Sequence, residues 1–106
     1  MPQPTADSRV ILIAEPEHNV RELQRHFLEK AGLDVEFADD GEAALELARL
    51  IRPAAIVTEI LVPKIDGLTL CRRLGENPVT RDIPVVVFSI LAAAAVIILN
   101  DFGARR

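Results

Sequence analysis

The chain has 106 residues, half of them hydrophobic and 26% charged, which suits one globular domain and excludes both a disordered chain and two ordinary domains. A net charge of −4 and only four aromatic residues, all Phe, argue against a phosphate-backbone binder and against a base-stacking platform for single strands. Cys71 is the one cysteine, so no internal disulfide forms, and with His18 and His26 it makes a poor structural zinc set.

Residues 1–8 are polar and Pro-containing and read as a flexible tail without a signal-peptide core; the domain is expected over 9–106, in the cytoplasm by default. Val10-Ile11-Leu12-Ile13-Ala14 is a continuous apolar run, as in a strand buried on both faces, and Glu15-Pro16-Glu17 breaks it. Asn19 with Glu22 predicts a helix cap, Val20, Leu23, Phe27 and Ala31 form the apolar stripe, and Gly32 stops the helix. Residues 34–38 alternate as a more exposed strand, and Asp39-Asp40-Gly41 turns into a second helix with Ala44, Leu47, Ala48 and Ile51 on its stripe. Pro53 ends that helix, and residues 54–58 form another buried strand closed by Glu59. After a loop containing Pro63, Asp66-Gly67 opens a third helix with Leu68, Leu70, Cys71 and Leu74 as its apolar face. Asn77-Pro78 ends it, residues 85–88 form a strand ending at Ser89, and residues 90–99 read as a fourth helix.

Strand and helix alternate, so the class is α/β with a parallel sheet between helices. Such sheets place their sites at the carboxyl ends of the strands. Those ends are Ala14-Glu15, Ala38-Asp39, Thr58-Glu59 and Phe88-Ser89.

Four stretches carry a family resemblance. They are the first strand with its acid, Ala38-Asp39-Asp40-Gly41-Glu42-Ala43-Ala44-Leu45, Val62-Pro63-Lys64-Ile65-Asp66-Gly67, and Arg81-Asp82-Ile83-Pro84-Val85-Val86-Val87-Phe88-Ser89. Together they resemble the receiver domain of bacterial two-component response regulators over residues 9–106. The resemblance implies a flavodoxin-like, three-layer sandwich. The family's strand order is 2-1-3-4-5; here the expectation is 2-1-3-4, lacking the fifth strand and fifth helix, because Asp101-Phe102-Gly103-Ala104 resembles the turn before that strand.

The resemblance also implies a phosphoacceptor pocket, and this chain departs from it. The family's paired acids map to Glu15 and Pro16, its phosphoacceptor Asp to Glu59, the following carbonyl to Leu61 and its hydroxyl to Ser89; its Lys has no counterpart here. Proline brings no carboxylate, and Glu59 is one methylene longer than Asp, which moves its oxygens by about 1.5 Å. The expectation is a pseudo-receiver with no catalytic residues and no cofactor, apart from a weak Mg²⁺ site at Glu15 and Glu59. Glu59 reads either as a fixed mimic of the phosphorylated state or as a drifted position. Glu15 with Glu59 as a hydrolytic acid/base pair, and Ser89 as a nucleophile, are the enzyme readings; no G-x-S-x-G elbow surrounds Ser89. Cys71 reads as a buried small hydrophobe, and Arg72-Arg73 and Arg105-Arg106 as solvated charge.

Residues 90–99 are apolar around the whole expected helix, which calls for burial on all sides. Ten residues are half a membrane span. Without a fifth strand, residues 85–88 would also be an open apolar edge. A homodimer interface is therefore expected from Val85, Val87, Ile90, Leu91, Ala94, Val96, Ile97, Ile98 and Leu99, with a signalling partner protein as the alternative and neither nucleic acid nor membrane as partner. Two other readings stay open: a conventional phosphorelay receiver with weak Mg²⁺-dependent phosphoacceptor activity, and a piece of a longer multidomain response regulator.

Overall fold

The computed structural model describes residues 9–89 with their side chains and the backbone of residues 95–98. Its elements are β1 (Val10–Ala14), α1 (His18–Lys30), β2 (Asp34–Ala38), α2 (Gly41–Ile51), β3 (Ala55–Glu59), α3 (Gly67–Glu76), β4 (Val85–Ser89) and β5 (Ala95–Ile98). The sheet runs β2-β1-β3-β4-β5. The first four strands are parallel, in the expected order 2-1-3-4, and β5 is antiparallel to β4.

The register sorts the side chains into two layers. Leu12, Ala14, Ala38, Ile56, Val85 and Val87 face α2 and α3, where they meet Ala44, Ala48, Leu70 and Leu74. Ile11, Ile13 and Val35 face the other way, against Leu28 of α1. Alternation along each strand puts successive residues on opposite faces, so both faces of a continuous apolar run find a core.

Local chemistry fixes the helix ends. Asp40 and Asp66 cap α2 and α3 by accepting the backbone N–H of Ala43 and Thr69, each at 2.7 Å. Gly32, at φ +86, closes α1 with its N–H on the Glu29 carbonyl. Arg52 ends α2 in the left-handed region at φ 46, a conformation usually left to glycine.

Several sequence expectations need correction. The cap of α1 is Glu17, not Asn19, because the Glu17 N–H is already held by the Glu15 carboxylate and the helix starts from that turn. The stripe of α1 is not buried: Leu23 is 59% and Phe27 62% exposed. Leu68 is likewise exposed, on the outer side of α3.

The largest correction is at residues 90–99. Over 95–98 the backbone is the strand β5, not a helix. A short apolar run cannot be assigned to helix or strand by periodicity alone, and Val96, Ile97 and Ile98 are β-branched. Pairing with β4 satisfies backbone groups that a helix would have left open along that edge. The open edge expected at β4 is therefore filled from within the chain. Val85 and Val87 are buried in the core and offer no side-chain surface to a partner. No parallel fifth strand occurs among the described residues. The expected tail at 1–8, the interface residues Ile90, Leu91, Ala94 and Leu99, and the turn at 101–104 lie outside the described residues, as do the side chains of Val96, Ile97 and Ile98. Among the described residues no helix is long and apolar enough to cross a membrane.

Candidate functional site at the carboxyl edge of the sheet

Parallel register brings the strand ends to one level. Ala14 pairs with Ala38 on one side and Thr58 on the other, and Glu59 pairs with Phe88. Glu15 and Glu59 therefore leave neighbouring strands together on the α1 face, with Asp39 beyond β2 and Ser89 at the end of β4. The backbone positions of Glu15, Pro16, Glu59 and Ser89 lie at or just past this edge, and Leu61, expected to contribute its carbonyl, follows on the loop after β3.

Glu15 is buried. Its backbone N–H donates to the Ala38 carbonyl at 3.0 Å, extending the β1–β2 ladder by one bond. Its Oε2 accepts the Glu17 N–H at 3.1 Å. Its carbonyl accepts Nε of Arg21. The guanidinium of Arg21 then reaches Asp39 Oδ1 at 2.5 Å while lying 5.2 Å above the Phe37 ring. Arg21 thus bridges the ends of β1 and β2 and brings a fixed positive charge to the acidic edge.

The loop after β3 is pinned from both sides. Ile60 donates its N–H to the Phe88 carbonyl at 2.8 Å, and Gly67 donates to the Ile60 carbonyl at 2.7 Å. Gly41 donates to the Pro63 carbonyl at 2.9 Å, tying the loop to the start of α2. Lys64 sits at φ 75 and its Nζ is 3.7 Å from Asp40 Oδ2. Thr58 Oγ1 donates to the Glu59 carbonyl at 2.9 Å. Asp66, at the far end of the loop, has its carboxyl held below the ordinary range, chiefly by the Thr69 backbone N–H and then by the Thr69 hydroxyl.

Sequence reasoning missed Arg21 and Lys64. Arg21 lies off the apolar stripe of α1; its nearest signal is Arg25 one turn on, which also lies over Phe37, at 5.1 Å. Cys71 is buried as expected, and burial pushes its thiol up.

The described residues do not fit the family's magnesium chemistry. The Glu15 carboxylate is buried and turned onto the Glu17 N–H, Pro16 has no ligand atom, and no group of three or more His, Cys, Asp or Glu side chains among the described residues could hold a metal ion. Mg²⁺ is usually held by one or two carboxylates plus waters in near-octahedral geometry, and here one Glu15 carboxylate oxygen is already taken by the Glu17 N–H.

Comparison with known proteins places these features. Residues 11–105 match the family described as response regulator receiver domain. The chain is 38% identical over 79 residues to the response regulator MprA of Mycolicibacterium vanbaalenii, spanning 74% of this chain and 33% of that one. It is 37% identical over 84 residues to the response regulator PleD of Caulobacter vibrioides, spanning 79% of this chain and 18% of PleD. It therefore spans a third or less of the length of these relatives. Among solved structures, the signal receiver domain of a signal transduction histidine kinase from Syntrophus aciditrophicus superposes with a TM-score of 0.70 at 37% identity, covering 74% of this chain and 59% of that chain. The receiver domain of the sensor histidine kinase PA1611 from Pseudomonas aeruginosa shares the fold, with a TM-score of 0.75 at 23% identity over 83% of this chain and 72% of that chain.

Proposed function

The chain belongs to the response regulator receiver domain family, and on that premise we propose that it passes signals by protein–protein contact without taking phosphate onto Glu59. Receiver domains are signalling domains, and the proposal concerns how this one signals. The supporting observation is the state of Glu15: its carboxylate is buried and engaged by the Glu17 N–H, with Pro16 where the family places a second acid. Phosphoryl transfer is catalysed by charges placed around the transferring group. A displacement of about 1 Å in such a site costs roughly 100-fold in rate, and the longer Glu59 side chain brings a displacement of that order.

In this reading the domain is a pseudo-receiver of the cytoplasm, not an enzyme, and its contacts include self-association. The side chains of Val85 and Val87 are not part of that contact, since they fill the core. The lengths of the relatives favour a second, compatible reading, in which the domain works as one part of a longer regulator.

Intact-mass measurement after incubation with acetyl phosphate and Mg²⁺ tests the proposal. The expected spectrum carries no phosphoryl adduct. An adduct that disappears in Glu59→Ala overturns the reading and restores a conventional phosphorelay receiver.

A further inference from the structure

The face that α1 turns toward the sheet is unlike that of the other helices. Its half-buried positions are Val20, Arg21, Gln24, Arg25 and Leu28, spaced as one stripe along the helix, and most of them are polar. α2 and α3 press Ala44, Ala48, Leu70 and Leu74 into the core, whereas no residue of α1 is buried. α1 meets the sheet chiefly at β2, and the α1 side chain that packs with Ile11, Ile13 and Val35 is Leu28.

Charge stands in for that burial. The Arg21 guanidinium has three partners at the ends of β1 and β2: its Nε donates to the Glu15 carbonyl, its Nη2 lies 2.5 Å from Asp39 Oδ1, and its Cζ lies 5.2 Å from the centre of the Phe37 ring. Arg25, one turn on, places its Cζ 5.1 Å from the centre of the same ring. A ring attracts a cation within about 6 Å of its centre. The Arg21 side chain is only 20% exposed, but its partner Asp39 is 82% exposed. A pair with one end in water is screened by salt. Arg25 differs, because its carboxylate partners, Glu22 at 3.9 Å and Glu29 at 3.8 Å, belong to α1 itself. Those pairs steady the helix without holding it to the sheet.

We propose that Arg21 is an electrostatic latch holding α1 against β2, and that rising ionic strength releases it. The latch reaches the acidic edge. The guanidinium that meets Asp39 also holds the Glu15 carbonyl, and the Glu17 N–H at the start of α1 holds the Glu15 carboxylate. Opening of α1 therefore loosens the turn that carries Glu15. Solution ions, and not a phosphoryl group, set how firmly that turn is held. The latch is independent of whether Glu59 takes phosphate. The Debye length falls from about 20 Å in about 20 mM salt to about 4 Å in about 500 mM, which spans the range over which such a pair is felt. An exposed pair of this kind shifts an opening equilibrium by about two- to fivefold.

Amide hydrogen exchange of the 106-residue chain at those two salt concentrations tests this, with Asp39→Asn and Glu29→Gln as variants. Asp39 is exposed and lies off the helix, so Asn removes the charge and leaves the fold in place. In the parent, high salt is expected to speed exchange of residues 18–30 about threefold relative to β1. Asp39→Asn speeds that exchange already at low salt and removes most of the salt response. Glu29→Gln, which breaks a pair inside α1, keeps the response. Equal exchange at both salt concentrations in the parent overturns the proposal. So does a salt response that Asp39→Asn leaves unchanged or that Glu29→Gln abolishes, which assigns it to the pairs within α1. Neither outcome bears on the acetyl phosphate experiment, so failure of the latch and failure of the phosphate-independent reading are told apart.

Discussion

The carbonyl oxygen of Glu59 lies 2.5 Å from the point where a Cβ on Gly67 would sit. Backbone, not a movable side chain, fills that space, and the same holds at Gly41, whose Cβ would lie 2.3 Å from the Ile65 carbonyl. Gly67→Ala and Gly41→Ala are therefore expected to cost about 2–4 kcal/mol each by forcing the loop after β3 off its neighbours. Gly75, inside α3 with nothing within 4 Å of its Cβ, is the contrast: Gly75→Ala gains about 0.5–1 kcal/mol from helix propensity. Urea denaturation of the three variants checks both signs at once.

Thr80 is fully buried and its hydroxyl donates to the Leu74 carbonyl at 2.7 Å, joining the long 3.4 Å bond that this acceptor at the end of α3 takes from the Asn77 N–H. Thr80→Val keeps the shape and removes the donor. The expected loss is about 1–2 kcal/mol, seen as a drop in melting temperature of roughly 5–10 °C for a domain of this size. Thr80→Ser, which keeps the hydroxyl, recovers most of the hydrogen-bond contribution.

Asp66 makes α3 sensitive to acid. Its carboxyl is held below the ordinary value of 3.8 by the Thr69 N–H and hydroxyl, so the fold favours the charged form. That contribution is complete above the ordinary value and is lost as pH falls through the lower, folded one. Asp66→Ala is expected to cost about 1 kcal/mol at pH 7. Melts of parent and variant taken down the acid range draw together below the ordinary carboxylate pKa, and a gap that stays constant through that range refutes the assignment.

The acidic edge can be pushed back toward the family's pattern. Pro16→Asp with Glu59→Asp restores two short carboxylates where this chain has a ring and a longer acid. Calorimetry is expected to show Mg²⁺ binding at least tenfold tighter than in the parent, or about 1.4 kcal/mol. Neither single change alone is sufficient, because Glu59→Asp leaves the ring of Pro16 in place and Pro16→Asp leaves the longer acid at position 59.

Much of this molecule is readable from its residues. The strands β1, β3 and β4 announce themselves as apolar runs and β2 by its alternation, and Asp40-Gly41 and Asp66-Gly67 mark the starts of α2 and α3 by the chemistry of capping. The convergence of Glu15, Glu59 and Ser89 follows from parallel order alone, since all three lie at strand ends. Where reading failed, the missing term was tertiary. Residues 95–98 pair with β4, and an edge seeking a neighbour outweighs any local preference. Leu23 and Phe27 have the spacing of a core stripe, yet what α1 turns toward β2 includes the guanidinium groups of Arg21 and Arg25 over Phe37.

No residue of α1 is fully buried. An element held by so little of its own surface opens at a lower free energy than the strands beneath it. Its amides are then the first to exchange with solvent deuterium, ahead of those in α2 and α3, which keep buried residues of their own.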